Sequence, residues 1–518
     1  MTLTNTDAGT GDPPALPTLQ SVNPITGAVV GRAPIDDRGR VDAAVSAART
    51  AGQQWSALSI GDRAAHLLRV RESFADHASA IADSLHAETG KPLVDAYMEV
   101  ISGLGFWSWA ARKAPKLLAP RKISTGPMVV KRATVHYGPV GVVGVIAPWN
   151  FPVSIPMQSI PYALIAGNAV VFKPSEITLR TGSLIAEAIN AAGRDLVHLV
   201  TGDGTTGDAL VRSGVDKVVF TGSGAVGRKI LAATAATLTP TVMELGGKDA
   251  AIVCADADVA RAATCVTAVA FANAGQLCMA TERAYVDARV YDEFVEGVVA
   301  ATCRLRFGPK ATSHLGPLTR PQQADLLEQR LRDAQAGGAR IAVGGKRHVD
   351  GPAVYFEPTV VVDVTADMAL LREESFGPIL SIVRVNDADE AVAAANDSDY
   401  GLNGSIFTTS QATAARLAAA LQTGGVHIND ALVGNAIPGV PFGGVKRSGF
   451  GRLQGDVGLF EFVAAKTVIG ERRGPWPALA SQMIAERRPS PASLGRFVAL
   501  AYSSKGLPAR LARATHRR

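Results

Sequence analysis

Residues 140–150 read VGVVGVIAPWN, a short apolar, β-rich run that ends in turn residues. Runs of the same kind return as NAVVFKPSE (168–176), LVHLVTG (196–202) and KVVFTGS (217–223), each closing in turn or cap residues. Helical stretches such as LRTGSLIAEAINAAG (179–193) and AVGRKILAATAATL (225–238) are interleaved with them. Strand, turn and helix repeated in this way predict a parallel, doubly wound α/β sheet with functional groups at the strand ends.

Upstream, the Ala-rich region from Arg38 to Ala114 spaces its apolar residues as helices do, for example in VDAAVSAART (41–50) and HLLRVRESFADHASAIADSLHAETG (66–90). KISTGPMVVKRATVHY (122–137) alternates polar and β-branched residues around Gly126 and Pro127, which predicts a hairpin able to serve as an arm pairing with another subunit. Downstream of Glu244 a second α/β region includes AIVCADAD (251–258), ERAYVDARVYDEFVEGVVAAT (282–302), YFEPTVVVDV (355–364) and ILSIVRV (379–385). Residues 387–421 read as helices around a short strand, and GGVHIND (424–430) opens a final stretch of loop and strand.

A chain of 518 residues, 47% apolar and 19% charged, has material for two or three globular units. Its four cysteines, Cys254, Cys265, Cys278 and Cys303, form no CxxC pair, which argues against a disulfide framework or a zinc cluster and for a reducing, cytoplasmic setting. No basic start followed by an apolar run is present, and no stretch approaches the roughly 18 apolar residues of a membrane span. The net charge of +6 is unevenly placed: residues 471–518 carry +8 and the rest −2, so the basicity belongs to the tail and does not indicate nucleic-acid binding. That tail has Pro and Gly breaks and short apolar groups, and reads as a packed or loose extension, a surface arm or a membrane-surface segment.

Cys278, in FANAGQLCMA (271–280), lies 34 residues after Glu244, in MELGGKD (243–249). A thiolate adds to an aldehyde, hydride leaves to a nicotinamide, and a base-activated water frees the acid, so a thiol and a carboxylate beside a dinucleotide sheet suit aldehyde oxidation. Cys254 lies in an apolar strand-like run, and Cys265 and Cys303 in helical patterns, as small hydrophobes do.

APWNFP (147–152), VFKPSE (171–176), FTGSGAVG (220–227), MELGGKD, FANAGQLCMA, EESFGP (373–378), GGVHIND and PFGGVKRSGFGR (441–452) occur in the order found in the aldehyde dehydrogenase superfamily, which the chain resembles from about Val22 to Val468. Within it the chain is similar to actinobacterial chains designated succinate-semialdehyde dehydrogenases. The resemblance implies Cys278 as nucleophile and Glu244 as general base for the hydrolytic water, a base that coenzyme A-acylating relatives lack. It also implies that the Asn150 amide, with the backbone N–H of the nucleophile, forms an oxyanion hole, one donor of which is worth about 2.7–4 kcal/mol.

For the cofactor, NAD or NADP, the resemblance implies that Lys173 bonds ribose hydroxyls, that Ser175 also belongs to the cofactor site, and that Gly222, Ser223, Val226 and Gly227 bring the pyrophosphate to a helix N-terminus. Trp149 and Leu245 line the site, while Glu374 and Phe376 hold the nicotinamide ribose and ring. Glu176 would accept from a ribose 2′-OH and repel a 2′-phosphate, yet relatives with this glutamate use both cofactors, so the choice stays open. No metal is implied.

The implied substrate is succinate semialdehyde, with a broad aliphatic or aromatic aldehyde as the alternative; a non-enzymatic binding protein on the same fold would not need Cys278, Glu244 and Asn150 together. Better-known succinate-semialdehyde dehydrogenases place carboxylate-clamping arginines where this chain has Gln158 and Ala272, and many relatives carry lysine near Ser159. A carboxylate would then need Arg283, Arg447 or the Asn435 loop. The expected architecture is a cofactor-binding domain (1–119 and 142–245), a catalytic domain (246–445), a β bridging arm (120–141 and 446–470, with its strand near 460–468) and the basic tail (471–518). Such an arm has little core of its own and implies a homodimer or homotetramer.

Overall fold

The computed structural model describes residues 17–126, 128, 130–472 and 490–502. The Ala-rich region forms four helices, Arg38–Ser56, Ile60–Asp76, Ala78–Thr89 and Leu93–Leu117. Asp37 caps the first by accepting from Arg40 N, and Ser59 caps the second by accepting from Asp62 N. Val41, Val45, Ala48 and Trp55 recur on one face of the first helix and are buried. The first three pack against Val142, Val171 and Val218, each buried valine contributing about 1.5–3 kcal/mol by leaving water.

Those three valines belong to a six-stranded sheet ordered Gly449–Phe450, Thr241–Glu244, Lys217–Thr221, Val142–Ile146, Ala169–Lys173, Val197–Leu199. All its pairings are parallel except Gly449–Phe450 against Thr241–Glu244. Chain order runs outward from Val142–Ile146 in both directions, so the switch point lies at its carboxyl end, where such sheets open a ligand crevice. Ile146, Lys173, Thr221 and Glu244 all end strands there. A second sheet is ordered Arg340–Val343, Thr359–Val362, Ile379–Val385, Thr281–Asp287, Asp249–Val253, Asn403–Phe407, Gly425–Ile428 and is parallel apart from its first pair. The α/β class read from the repeated strand–helix pattern is the class observed.

The described residues fall into two compact units, one within residues 1–117 and 139–464, the other within 118–138 and 465–518. The second unit holds the hairpin foreseen in 122–137: Arg121–Ile123 pairs antiparallel with Lys131–Pro139, and Gly126 turns at φ +56°. Val463–Glu471 is the third strand of that sheet. Residues 446–462, read from the sequence as part of the arm, lie instead within the first unit. There Gly449 pairs with Glu244, and a Cβ on Gly449 would come 1.9 Å from Met243 O, so only glycine lets this edge close. Most of the tail lies outside the described residues; within it Pro491–Tyr502 is a helix.

Candidate active site

Three left-handed residues in a row, Asn273 (φ 51°), Ala274 (φ 57°) and Gly275 (φ 70°), follow the helix Val259–Phe271 and lead to Cys278. For the two non-glycines this conformation costs about 1–2 kcal/mol each. Hydrogen bonds hold it: Asn273 Nδ2 donates to Asn150 O at 3.2 Å, Gln276 Nε2 donates to Asn273 O at 2.9 Å, and Gln276 Oε1 accepts from Thr319 N at 2.9 Å. A Cβ on Gly275 would lie 2.2 Å from the Gly377 carbonyl. The Gly-Gln pair before the cysteine is therefore a backbone requirement and a brace. Cys278 is half-buried, and burial raises its thiol pKa above the ordinary value of 9.0, with the carboxylates of Glu374, Asp249 and Glu244 adding to the shift.

Glu244 ends its strand with both carboxylate oxygens buried and without a hydrogen-bond partner among the described residues. Burial pushes its pKa well above the usual carboxylate range, against the pull of Arg452. Glu244 and Cys278 line one cavity with Thr221, Gln158, Phe151 and Phe442, and its volume of about 20 Å³ matches a single water molecule. Asn150, which precedes Phe151 in the chain, is buried and donates from Nδ2 to Gln276 O at 3.0 Å, one of two amide N–H groups. Its carbonyl accepts from Lys91 Nζ at 2.8 Å, and Lys91 forms a buried ion pair with Glu99 at 2.7 Å. Glu99 Oε1 in turn accepts from Val153 N and Ser154 N, so one buried pair fixes the segment that carries Trp149, Asn150 and Phe151.

The residues expected to meet a dinucleotide gather at the carboxyl ends of the first sheet. Lys173 is buried, and its Nζ donates to Pro174 O at 3.2 Å, leaving ammonium donors for ribose hydroxyls; burial lowers its pKa, with Glu176 and Asp203 opposing. Ser175 Oγ accepts from Ile177 N at 3.3 Å. Ser223 caps the helix Gly224–Ala235, whose amino end follows the strand Lys217–Thr221 and offers backbone N–H groups to phosphate. Gly222 N donates to Glu244 O, Val226 is exposed, and a Cβ on Gly227 would meet the Leu245 side chain at 2.8 Å. Phe376, at φ 49°, stands edge-on to Trp149 with ring centroids 5.6 Å apart. Glu374 accepts from Gly247 N at 3.2 Å, and its burial, with Glu282 nearby, raises its pKa to about 7. A buried lysine, a capped helix end and two facing rings fit a nicotinamide dinucleotide.

Other residues of this site were not legible in the sequence. Glu282 pairs with Lys248 and accepts from Ser375 N and Phe376 N, so the lysine of MELGGKD helps position the segment EESFGP. Arg320 donates to Glu176 Oε1 at 2.9 Å and lies 5.9 Å from the Trp149 ring centroid. These partners sit far apart in the chain, and no local pattern announces them.

A cavity of about 610 Å³ adjoins the smaller one, sharing Phe151, Ser154 and Leu277 with it. Met98, Ile101, Phe271, Leu305, Leu315 and Leu432 give it apolar walls, and Ala272 is among the lining residues. Asp95 and Glu99 also face it, whereas its Lys91 is committed to Glu99 and Asn150. Gln158 lines the smaller cavity, and Ser159 is buried with Oγ donating to Pro156 O. The two arginines considered for a substrate carboxylate are engaged elsewhere: Arg283 donates to Lys248 O, and Arg447 pairs with Asp399 at 2.7 Å. The side chain of Asn435 lies outside the described residues.

Fold and site together are those of an α/β oxidoreductase. The chain belongs to the aldehyde dehydrogenase family, whose sequence profile matches residues 13–468, and this family uses NAD or NADP. It is 36% identical over 450 residues to a 4,4'-diapolycopene aldehyde oxidase from Methylomonas sp, covering 86% of this chain and 84% of that one. Over 467 residues it is 34% identical to a Mycobacterium tuberculosis protein named "Putative succinate-semialdehyde dehydrogenase [NADP(+)] 2", covering 89% and 90%. Lactaldehyde dehydrogenase from Escherichia coli superposes with a TM-score of 0.85 at 32% identity, covering 90% of this chain and 97% of the other.

Proposed function

We propose that this aldehyde dehydrogenase oxidises an apolar aldehyde to its carboxylate through Cys278. The observation that carries the reading is the apolar cavity of about 610 Å³ that adjoins the Cys278 cavity and in which Lys91 and Glu99 are paired with each other and Asp95 and His314 are the other charged or titratable lining residues. The Cys278 thiolate adds to the aldehyde carbon, forming a C–S bond and an oxyanion for the Asn150 amide. NAD(P)+, when bound, would supply the two-electron oxidant, and loss of hydride from that carbon would leave a thioester on Cys278. Glu244 then takes a proton from water as the oxygen adds to the thioester carbonyl. The C–S bond breaks, the thiolate leaves and the acid is freed. Burial holds the Glu244 carboxyl above its usual pKa, which makes its carboxylate a stronger base than a solvent-exposed one. Lys173, Glu176, Glu374 and Phe376 would orient the dinucleotide, and the arm would join copies as a homodimer or homotetramer.

Oxidation of succinate semialdehyde is the second reading, favoured by the name of the mycobacterial relative. The two part in one assay: kcat/KM for succinate semialdehyde, butanal and a longer or aromatic aldehyde, each with NAD+ and NADP+. An apolar pocket gives butanal and longer aldehydes the advantage. Succinate semialdehyde ahead of butanal by about tenfold, roughly 1.4 kcal/mol of transition-state binding, would overturn the apolar reading.

A further inference from the structure

The helix Pro491–Tyr502 has the sequence PASLGRFVALAY, with Arg496 as its one charged residue. Leu494, Phe497, Val498 and Tyr502 recur at the spacing of one helical face, and they range from 49% (Phe497) to 68% (Tyr502) exposed. A helix of 12 residues is marginal in water without tertiary packing, so a face left exposed among the described residues gains stability from an apolar partner. The second unit is also strongly basic. Residues 118–138 and 465–518 hold 15 Lys/Arg against two Glu, while the remaining residues hold 37 Lys/Arg against 44 Asp/Glu.

We propose that this helix and its basic surroundings dock the enzyme peripherally on an anionic lipid surface. The exposed apolar face belongs to a helix that carries Arg496 and that Arg487 and Arg488 precede and Lys505 follows in the sequence, so the segment has the two attractions that hold interfacial helices, burial of apolar side chains among acyl chains and attraction of cations to acidic headgroups. At about 1.5 Å per residue the helix is too short to cross a hydrocarbon core of about 30 Å, and among the described residues no helix is long and apolar enough to do so. Nucleic acid would satisfy the charges but leave Leu494, Phe497 and Val498 in water. Pairing with the same helix of a second copy would cover the apolar face but leave the basic residues of this unit without an anionic partner.

The test is flotation of the full-length protein with vesicles of phosphatidylcholine alone or with phosphatidylglycerol added, at 0.1 M and 0.5 M NaCl. Binding is expected with the anionic vesicles, about tenfold weaker in high salt and about tenfold weaker again for the double variant Leu494→Asp, Phe497→Asp. Turnover of a water-soluble aldehyde by that variant should match wild type, which shows that it folds. Absence of flotation, equal binding to neutral vesicles, or binding unchanged by the double variant would overturn the proposal. Retention on DNA without vesicle binding, or a smaller assembly for the double variant without vesicle binding, would assign the surface to nucleic acid or to a second copy instead.

Discussion

Arg320 donates to Glu176 Oε1 at 2.9 Å across 144 positions of sequence. Alone, Glu176 would repel a 2′-phosphate; paired, its charge is compensated, and a cation would stand beside the ribose if Glu176 meets the dinucleotide as proposed. Both side chains are partly exposed, at 50% and 38%, so the pair is worth about 0–1 kcal/mol of stability and its effect should appear in cofactor choice. Arg320→Ala is expected to lower kcat/KM with NADP+ by about tenfold relative to NAD+, with an unchanged melting temperature. Equal losses with both cofactors would make Arg320 a general contact.

Cys278→Ala should abolish aldehyde oxidation while leaving dinucleotide binding by fluorescence titration intact, because the thiol contributes nothing to the proposed cofactor site around Lys173 and Ser223. Turnover comparable to wild type in that variant would remove the central assignment.

Glu244→Gln should separate the two halves of the reaction. A burst of reduced cofactor followed by slow turnover is expected in stopped flow, since Glu244 acts on the hydrolytic water. Loss of the burst itself would place the carboxylate in the first step.

The raised thiol pKa of Cys278 also has a measurable consequence. In the apoenzyme, alkylation of Cys278 followed by mass spectrometry should rise with pH beyond 9.0 without a plateau at 8, as the reactive thiolate fraction grows. Exposed Cys303 should react sooner at pH 8. A plateau for Cys278 below pH 8 would mean that the thiol is activated without cofactor.

Glu374 links the site to stability. The unfolded chain ionises this carboxyl near 4.5 and the folded chain near 7, so its contribution is fully present below 4.5 and is lost as pH rises through 7. At about 1.4 kcal/mol per pKa unit the loss is on the order of 3 kcal/mol. Glu374→Gln should therefore raise the apoenzyme's melting temperature over wild type more at pH 8 than at pH 5, and the same difference at both values would contradict a buried, titrating Glu374.

The fold class, and the motifs in which Cys278 and Glu244 stand, were legible in the chain because their signals are local. Period and composition mark the strands from Val142 to Thr221, glycines mark where backbone must approach backbone, and Cys278 and Glu244 each stand inside a short motif. The arm hairpin is equally local, as Gly126 and alternation announce it. What the tertiary structure alone decided is long-range. The late start of the arm depends on Gly449 pairing with Glu244, the hold on Asn150 on Lys91 meeting Glu99, and the charge balance at Glu176 on Arg320. The apolar cavity beside Cys278 is assembled from Met98, Phe151, Phe271 and Leu432, residues of separate segments. Burial, which sets the protonation of Cys278, Glu244 and Glu374, is a property of the packed interior, because desolvation depends on neighbours that only folding brings together.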